Sequence, residues 1–97
     1  MAKKIPHDRE AMDNTEARVN VYGTEWCAAT QMVRRYLDRL DLAYVFRDLD
    51  SDADAAKQVR WWTGGDASHP TLQIDGVILV EPSLAEVWST LAQNGLV

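Results

Sequence analysis

Apolar positions along the chain predict a short strand followed by an amphipathic helix. Val19, Val21 and Tyr22 are typical strand formers, and the run ends at Gly23. From Cys27 onward, apolar side chains recur every three or four positions while arginines and aspartates fill the opposite side. This spacing predicts a helix with one buried face. Residues 44–46 are again rich in strand formers and predict a second strand.

The second half of the chain predicts a helix, a hairpin and a last helix. Ser51-x-x-Asp54 resembles a capping pattern, and the helix after it is expected to stop at Gly64. Residues 71–74 and 77–80 flank an Asp-Gly pair, a strong signal for a two-residue hairpin turn. Ser83-x-x-Glu86 predicts a capping box at the start of the final helix.

The order of these elements predicts the fold class. Two strands joined by a helix favour a parallel, right-handed crossover, whereas the hairpin adds antiparallel strands. We therefore predict an α/β protein with a mixed four-stranded sheet, in the order β-α-β-α-β-β-α. Residues 18–97 would form this single domain. Residues 1–17 are polar, without sustained periodicity, and are expected to form a flexible tail with transient helix near residues 9–18.

Composition narrows the function classes. The 97 residues carry a formal charge of −5, which disfavours nucleic acid as a partner, and apolar runs such as residues 77–80 are far too short to span a membrane. The first residues lack the apolar stretch of a secretory signal, so we expect a cytoplasmic protein. The one cysteine allows neither an internal disulfide nor a zinc site made of cysteines, and we expect no metal.

Cys27 is the candidate reactive group. It follows a strand and a short loop and stands at the start of a helix, where unpaired backbone N–H groups favour a thiolate. Thr30, three residues on, faces back towards Cys27, and its hydroxyl could donate to the sulfur and lower the thiol pKa. The alternative is a small buried hydrophobic residue, which is common for a free cysteine. The position between strand and helix favours the reactive interpretation.

A second candidate feature is the His69-Pro70-Thr71 segment, which follows a glycine-rich loop and precedes a strand. A cis peptide is accessible before proline, although an ordinary trans proline can also open a strand. If Pro70 is cis, the His69 ring could approach Cys27 and stabilise its thiolate. The alternative is that the His69 side chain points into solvent.

Together these segments resemble the glutaredoxin-like branch of the thioredoxin superfamily, especially the mycoredoxin-like proteins. The resemblance covers residues 18–93. Residues 26–30 correspond to the Cys-x-x-Cys box, residues 64–71 to the cis-proline loop, and residues 80–83 to the entry of the last helix.

The resemblance implies a thioredoxin-like fold and a set of site residues. It implies that Cys27 attacks mixed disulfides, that Pro70 is cis and lies beside it, and that the backbone of His69 pairs with a thiol substrate. The start of the last helix at Ser83 would bind a substrate carboxylate. The residues that would contact the small thiol are Trp26, Arg60, His69, Pro70 and Ser83.

Three positions depart from the family pattern. Thr30 replaces the second cysteine, which leaves a monothiol route, and His69 replaces the usual valine before the cis proline. The lysine that many glutathione-binding members carry before the box is absent, since Gly23 and Thr24 stand there.

The expected function is therefore thiol–disulfide exchange by a monomeric oxidoreductase with a role in cell redox homeostasis and electron transport. Its co-substrate would be a low-molecular-weight thiol, glutathione or mycothiol-like, and its partners oxidised or S-thiolated proteins. Two alternatives remain open at this point: an iron–sulfur cluster carrier, and a binding module without redox activity. The Gly-Phe-Ser that follows the cysteine in monothiol carriers is replaced here by residues 28–30.

Overall fold

The computed structural model describes residues 17–97, so the predicted tail lies outside the described residues except for Ala17. Seven elements follow one another along the chain. They are β1 (Val19–Gly23), α1 (Ala28–Arg39), β2 (Val45–Asp48), α2 (Ala53–Thr63), β3 (Thr71–Ile74), β4 (Val77–Val80) and α3 (Leu84–Gln93).

The four strands form one mixed sheet in the order β2-β1-β3-β4. β1 and β2 are parallel, with Asn20 opposite Val45, whereas β3 is antiparallel to both β1 and β4. The predicted α/β fold is confirmed. The second strand begins one residue later than predicted, at Val45, and extends to Asp48. Tyr44 instead packs against the core and accepts a hydrogen bond from Arg34 Nε at 3.1 Å.

The main core lies between the sheet and the helices α1 and α3. Its fully buried members come from β1, β3 and the inner faces of these two helices: Val19, Val21, Val33, Leu37, Leu72, Ile74, Val87 and Leu91. A second, smaller cluster packs Tyr22 against Ala55 and Val59 of α2, with Trp62 at its edge. Val33 and Leu37, on the helix face predicted from the three-to-four spacing, are buried and pack α1 against the sheet, whereas Met32 of the same predicted face is 52% exposed.

Helix α2 begins differently from the prediction. Its N-cap is Asp52, not Ser51, and Asp52 Oδ1 accepts a hydrogen bond from the backbone of Ala55 at 3.1 Å. The reason is a tight turn after β2, in which Asp48 accepts hydrogen bonds from the next residues and places Ser51 one position before the cap. The helix ends at Gly64 as predicted, and this glycine has the left-handed φ of 83° that favours glycine at a helix end.

The hairpin and the last helix agree with the sequence patterns. Asp75 and Gly76 have φ of 49° and 87°, the left-handed pair of a two-residue hairpin turn. Ser83 and Glu86 form the complete capping box. Among residues 17–97, no helix has the length and apolar character needed to cross a membrane.

One polar cluster closes the edge of the domain where β1 starts. The Arg18 guanidinium donates to both carboxylate oxygens of Asp75, at 2.8 and 2.6 Å. It also donates to the backbone carbonyl of Asn94 at 2.9 Å. The start of β1, the hairpin turn and the end of α3 are thereby held together.

Candidate functional site

Cys27 lies at the opposite end of β1, in the loop that leads into α1. It is the N-cap residue of α1 and is partly exposed. Its backbone N–H donates to Thr24 at 3.3 Å, and its carbonyl accepts from the N–H of Gln31 at 3.1 Å. The Gln31 amide also donates to the carbonyls of Thr24 and Glu25, at 3.4 and 3.1 Å. The loop before the thiol is therefore fixed to the first turn of the helix.

Thr30 packs against the end of β1, at Gly23. Thr30 is fully buried. A Cβ placed on Gly23 would lie 2.6 Å from Thr30 Cγ2 and closer still to Oγ1. Real Cβ atoms do not approach other atoms so closely, so only glycine leaves room for Thr30 in this position. Gly23 thus leaves the space that the Thr30 side chain occupies at the end of β1.

His69 approaches the site from the loop that precedes β3. Its ring packs edge-to-face against Trp26, with ring centroids 5.3 Å apart. The Trp26 indole N–H donates to Asp50 Oδ2 at 2.7 Å, which ties this ring to the loop before α2. The His69 side chain therefore turns towards the thiol loop, and the solvent-pointing alternative is wrong.

The electrostatic environment favours the thiolate. Burial raises the pKa of the Cys27 thiol, but hydrogen bonding by the Thr30 hydroxyl and backbone N–H, the His69 ring and the Ala29 N–H outweighs it. The resulting pKa is about 7, against an ordinary value of 9.0. At pH 7 this ionises about half of the thiol, whereas an ordinary cysteine would be ionised to about one part in a hundred.

Two buried polar atoms beside the sulfur lack a partner. Thr30 Oγ1 and His69 Nδ1 form no hydrogen bond of ordinary geometry within residues 17–97. Both side chains are nevertheless near enough to Sγ to lower its pKa. A thiolate accepts stronger hydrogen bonds than a thiol, so these two side chains favour the charged form of Cys27. The site is thus arranged for a charged sulfur or a bound ligand.

Pro70 connects this cluster to the sheet. The His69–Pro70 peptide is cis, as predicted. The Pro70 carbonyl accepts a hydrogen bond from the N–H of Glu81 at 2.8 Å, and Thr71 Oγ1 donates to Ser68 at 3.0 Å. The backbone N–H and C=O of His69 have no such bond to any other residue of the described chain. His69 thus precedes the paired part of β3, which begins at Thr71.

The structure does not bring every predicted residue into contact with the thiol. Cys27, Thr30, Trp26 and His69 form one cluster, with Pro70 next to it in sequence. Arg60 is exposed on α2, beside Trp61 in a shallow depression, and no described contact joins it to that cluster. The Ser83 N–H already donates to the Glu86 carboxylate at 2.8 Å, within the capping box. A ligand at this helix start would meet the Glu86 charge.

Three supporting residues were not predicted as part of the site: Gly23, Gln31 and Asp50. Gly23 was interpreted only as the end of a strand, and no role in the site was assigned to Gln31 or Asp50. The contact of Asp50 with Trp26 joins segments 24 residues apart. The contacts of Gly23 with Thr30 and of Gln31 with Thr24 depend on how the loop folds back onto α1, which no periodicity encodes. Within residues 17–97, no group of three or more histidine, cysteine, aspartate or glutamate side chains is placed to hold a metal ion.

Known proteins that resemble this chain have a glutaredoxin or thioredoxin-like fold. A family model described as Glutaredoxin matches residues 19–79. No curated protein sequence matches the chain. Among solved structures, the thioredoxin-like protein BC3987 is 25% identical, with a TM-score of 0.69 over 75% of this chain and 99% of its own.

Two plant proteins have the same fold. A wheat glutaredoxin is 21% identical, with a TM-score of 0.61 over 81% of this chain and 72% of its own. A buckwheat glutaredoxin, solved as a glutathione complex, is 20% identical, with a TM-score of 0.64 over 91% and 81% of the two chains. At these identities the likeness establishes the fold alone.

Proposed function

The chain belongs to the glutaredoxin family, and from that membership we propose that it is a monothiol thiol–disulfide oxidoreductase. It would reduce mixed disulfides between proteins and a low-molecular-weight thiol, with Cys27 as the nucleophile. We propose that it does so as a monomer in the cytoplasm, where reduced thiols persist.

The observation that carries this proposal is the environment of Cys27. The only thiol of the chain stands at a helix start with a pKa of about 7, beside two unpaired polar side chains. A cysteine kept only for packing would have no need of groups that stabilise its charge. A thiol with a pKa near the ambient pH combines a high thiolate fraction with good nucleophilicity.

The reaction needs no second cysteine. The Cys27 thiolate attacks the sulfur of the small thiol in the mixed disulfide; a new disulfide forms between Cys27 and the small thiol, and the protein sulfur leaves with the electron pair. A second small thiol, as its thiolate, then attacks the small-thiol sulfur of that disulfide and releases Cys27 as a thiolate. The small thiol is oxidised to its dimer, and the protein sulfur is reduced.

The small thiol would bind along the open end of the sheet. We propose that the free backbone groups of His69 pair with it as an added strand would, next to Pro70, while Trp26 covers it from the side. Arg60 and the Ser83 helix start are the more distant candidates. The carboxylate of Glu86 at that helix start disfavours an anionic group there. This supports an uncharged, mycothiol-like thiol over glutathione at that position.

The test is a mixed-disulfide assay on the full chain. A peptide disulfide carrying glutathione is compared with one carrying an uncharged thiol, and mass spectrometry follows the adduct on Cys27. Wild type should form the adduct and release the peptide thiol, whereas Cys27→Ser should do neither.

Release of the peptide thiol by Cys27→Ser at the wild-type rate would refute the proposal. An inert wild type, together with a Cys27 that resists alkylation at neutral pH, would instead indicate a binding module. Visible absorbance of a cluster after anaerobic purification would point to an iron–sulfur carrier.

A further inference from the structure

The exchange reaction needs a proton donor for the departing thiolate, and His69 lies close to the site of reaction. In the first step the protein sulfur departs as a thiolate and must acquire a proton. A second cysteine is absent, and the Thr30 hydroxyl is far too weak an acid to supply a proton at neutral pH. His69 is the only imidazole within residues 17–97. Imidazole is the side chain that ordinarily exchanges protons near neutral pH.

The placement of the His69 ring suits this task. The ring lies beside Sγ, and its Nδ1 is buried without a hydrogen-bond partner in the described part of the chain. Trp26 packs edge-to-face against it and is itself fixed by Asp50. The ring is thus restrained on one side, and no residue of the described chain competes for its buried nitrogen.

We propose that His69 is the acid–base residue of the exchange reaction, an inference that rests on the proposed function. In the first step the protonated imidazole gives its proton to the departing protein thiolate, which leaves as a thiol. In the second step the neutral imidazole takes a proton from the incoming small thiol, which attacks as a thiolate. Over one cycle the histidine returns to its starting state, and no further oxidant or reductant is required.

This role differs from simple stabilisation of the Cys27 thiolate in one measurable respect. Proton donation matters only when the leaving thiol is basic, because an aromatic thiol leaves readily as a thiolate without help. Stabilising Cys27 would change the reaction with every disulfide by the same factor. The ratio between an alkyl and an aromatic leaving group therefore separates the two roles.

The experiment uses two disulfides of 2-mercaptoethanol, one with thionitrobenzoate and one with a cysteine peptide. Single-turnover release of the leaving thiol is measured at pH 7 and divided by the thiolate fraction of Cys27, obtained from ultraviolet absorbance. We compare wild type with His69→Gln and His69→Val. Both variants should lose about tenfold or more with the peptide disulfide, but less than about twofold with thionitrobenzoate.

Thr30→Val is the matched control, because it removes a hydroxyl that lowers the pKa of Cys27 without removing a group that can act as an acid at neutral pH. Its corrected rates should keep the wild-type ratio between the two disulfides. If both His69 variants keep that ratio as well, His69 has no role in proton transfer and the inference is wrong. If wild type releases neither thiol faster than Cys27→Ser, the exchange activity is absent and the proposed function fails with it.

Discussion

Replacing Gly23 with alanine should disturb both the stability of the domain and the chemistry of Cys27. The added methyl group would lie 2.6 Å from Thr30 Cγ2, so either α1 must move away from β1 or Thr30 must change its position. Overpacking of this kind costs about 1–3 kcal/mol. Loss of glycine freedom in the unfolded chain returns about 0.4–1 kcal/mol. We expect a net loss of about 1–2 kcal/mol in the free energy of unfolding.

For a domain of this size, such a loss corresponds to a decrease in Tm of roughly 5–15 °C. Displacement of the Thr30 hydroxyl should also raise the pKa of Cys27 towards its ordinary value of 9.0, since that hydroxyl is one of the groups that lower it. Urea denaturation gives the first quantity, and thiolate absorbance measured against pH gives the second.

A double-mutant cycle identifies the contact responsible. Thr30→Ala removes the two atoms that the new methyl group would meet most closely, so Gly23→Ala should cost less in that background, with a coupling of about 1 kcal/mol. The reasoning is refuted if Gly23→Ala leaves both the unfolding free energy and the pKa of Cys27 unchanged. It is also refuted if the two substitutions are additive, because the loss would then arise elsewhere.

The remaining predictions concern titration, helix capping and the active-site box. Because the pKa of Cys27 in the folded protein is about 7 and its ordinary value is 9.0, the thiolate stabilises the fold. Relative to Cys27→Ser, the free energy of unfolding should rise between pH 7 and 9 and lose this gain as pH falls through 7. Asp52→Ala should cost about 1 kcal/mol in urea denaturation, whereas Ser51→Ala should be nearly neutral; equal effects would contradict the observed cap. Thr30→Cys should form an internal disulfide and reduce insulin-type disulfides that wild type leaves intact; failure to form that disulfide on oxidation would count against the proposed geometry.

Features that follow from short-range sequence patterns could be predicted, whereas features that depend on tertiary contacts could not. The hairpin at Asp75 and Gly76, the Ser83–Glu86 capping box and the buried face of α1 follow from short-range rules, and all were predictable. Helix α2 shows the limit of those rules. Several residues before it can serve as a cap, and only the turn formed by Asp48 selects Asp52 over Ser51.

The site shows the same limit more clearly. Cys27 and Thr30 are neighbours on one helix turn, so their proximity could be predicted. The orientation of His69 depends on Trp26, which depends in turn on Asp50 in a third segment. No periodicity carries this information. The sequence also gives no signal for the role of Gly23, because that role depends on the space that Thr30 occupies in the folded protein.

The contact of Arg18 with Asp75 and Asn94 bears on how this domain can be joined to other objects. It brings Arg18, just before β1, and Asn94, just after α3, to one edge of the domain. The strand β1, about 16 Å long, separates that edge from the thiol loop. We therefore expect a fluorescent label or a surface anchor attached close to residue 18 or residue 94 to leave Cys27 open to large substrates. Attachment at either point should affect Cys27 in the same way, so the domain could be immobilised on an electrode through either one.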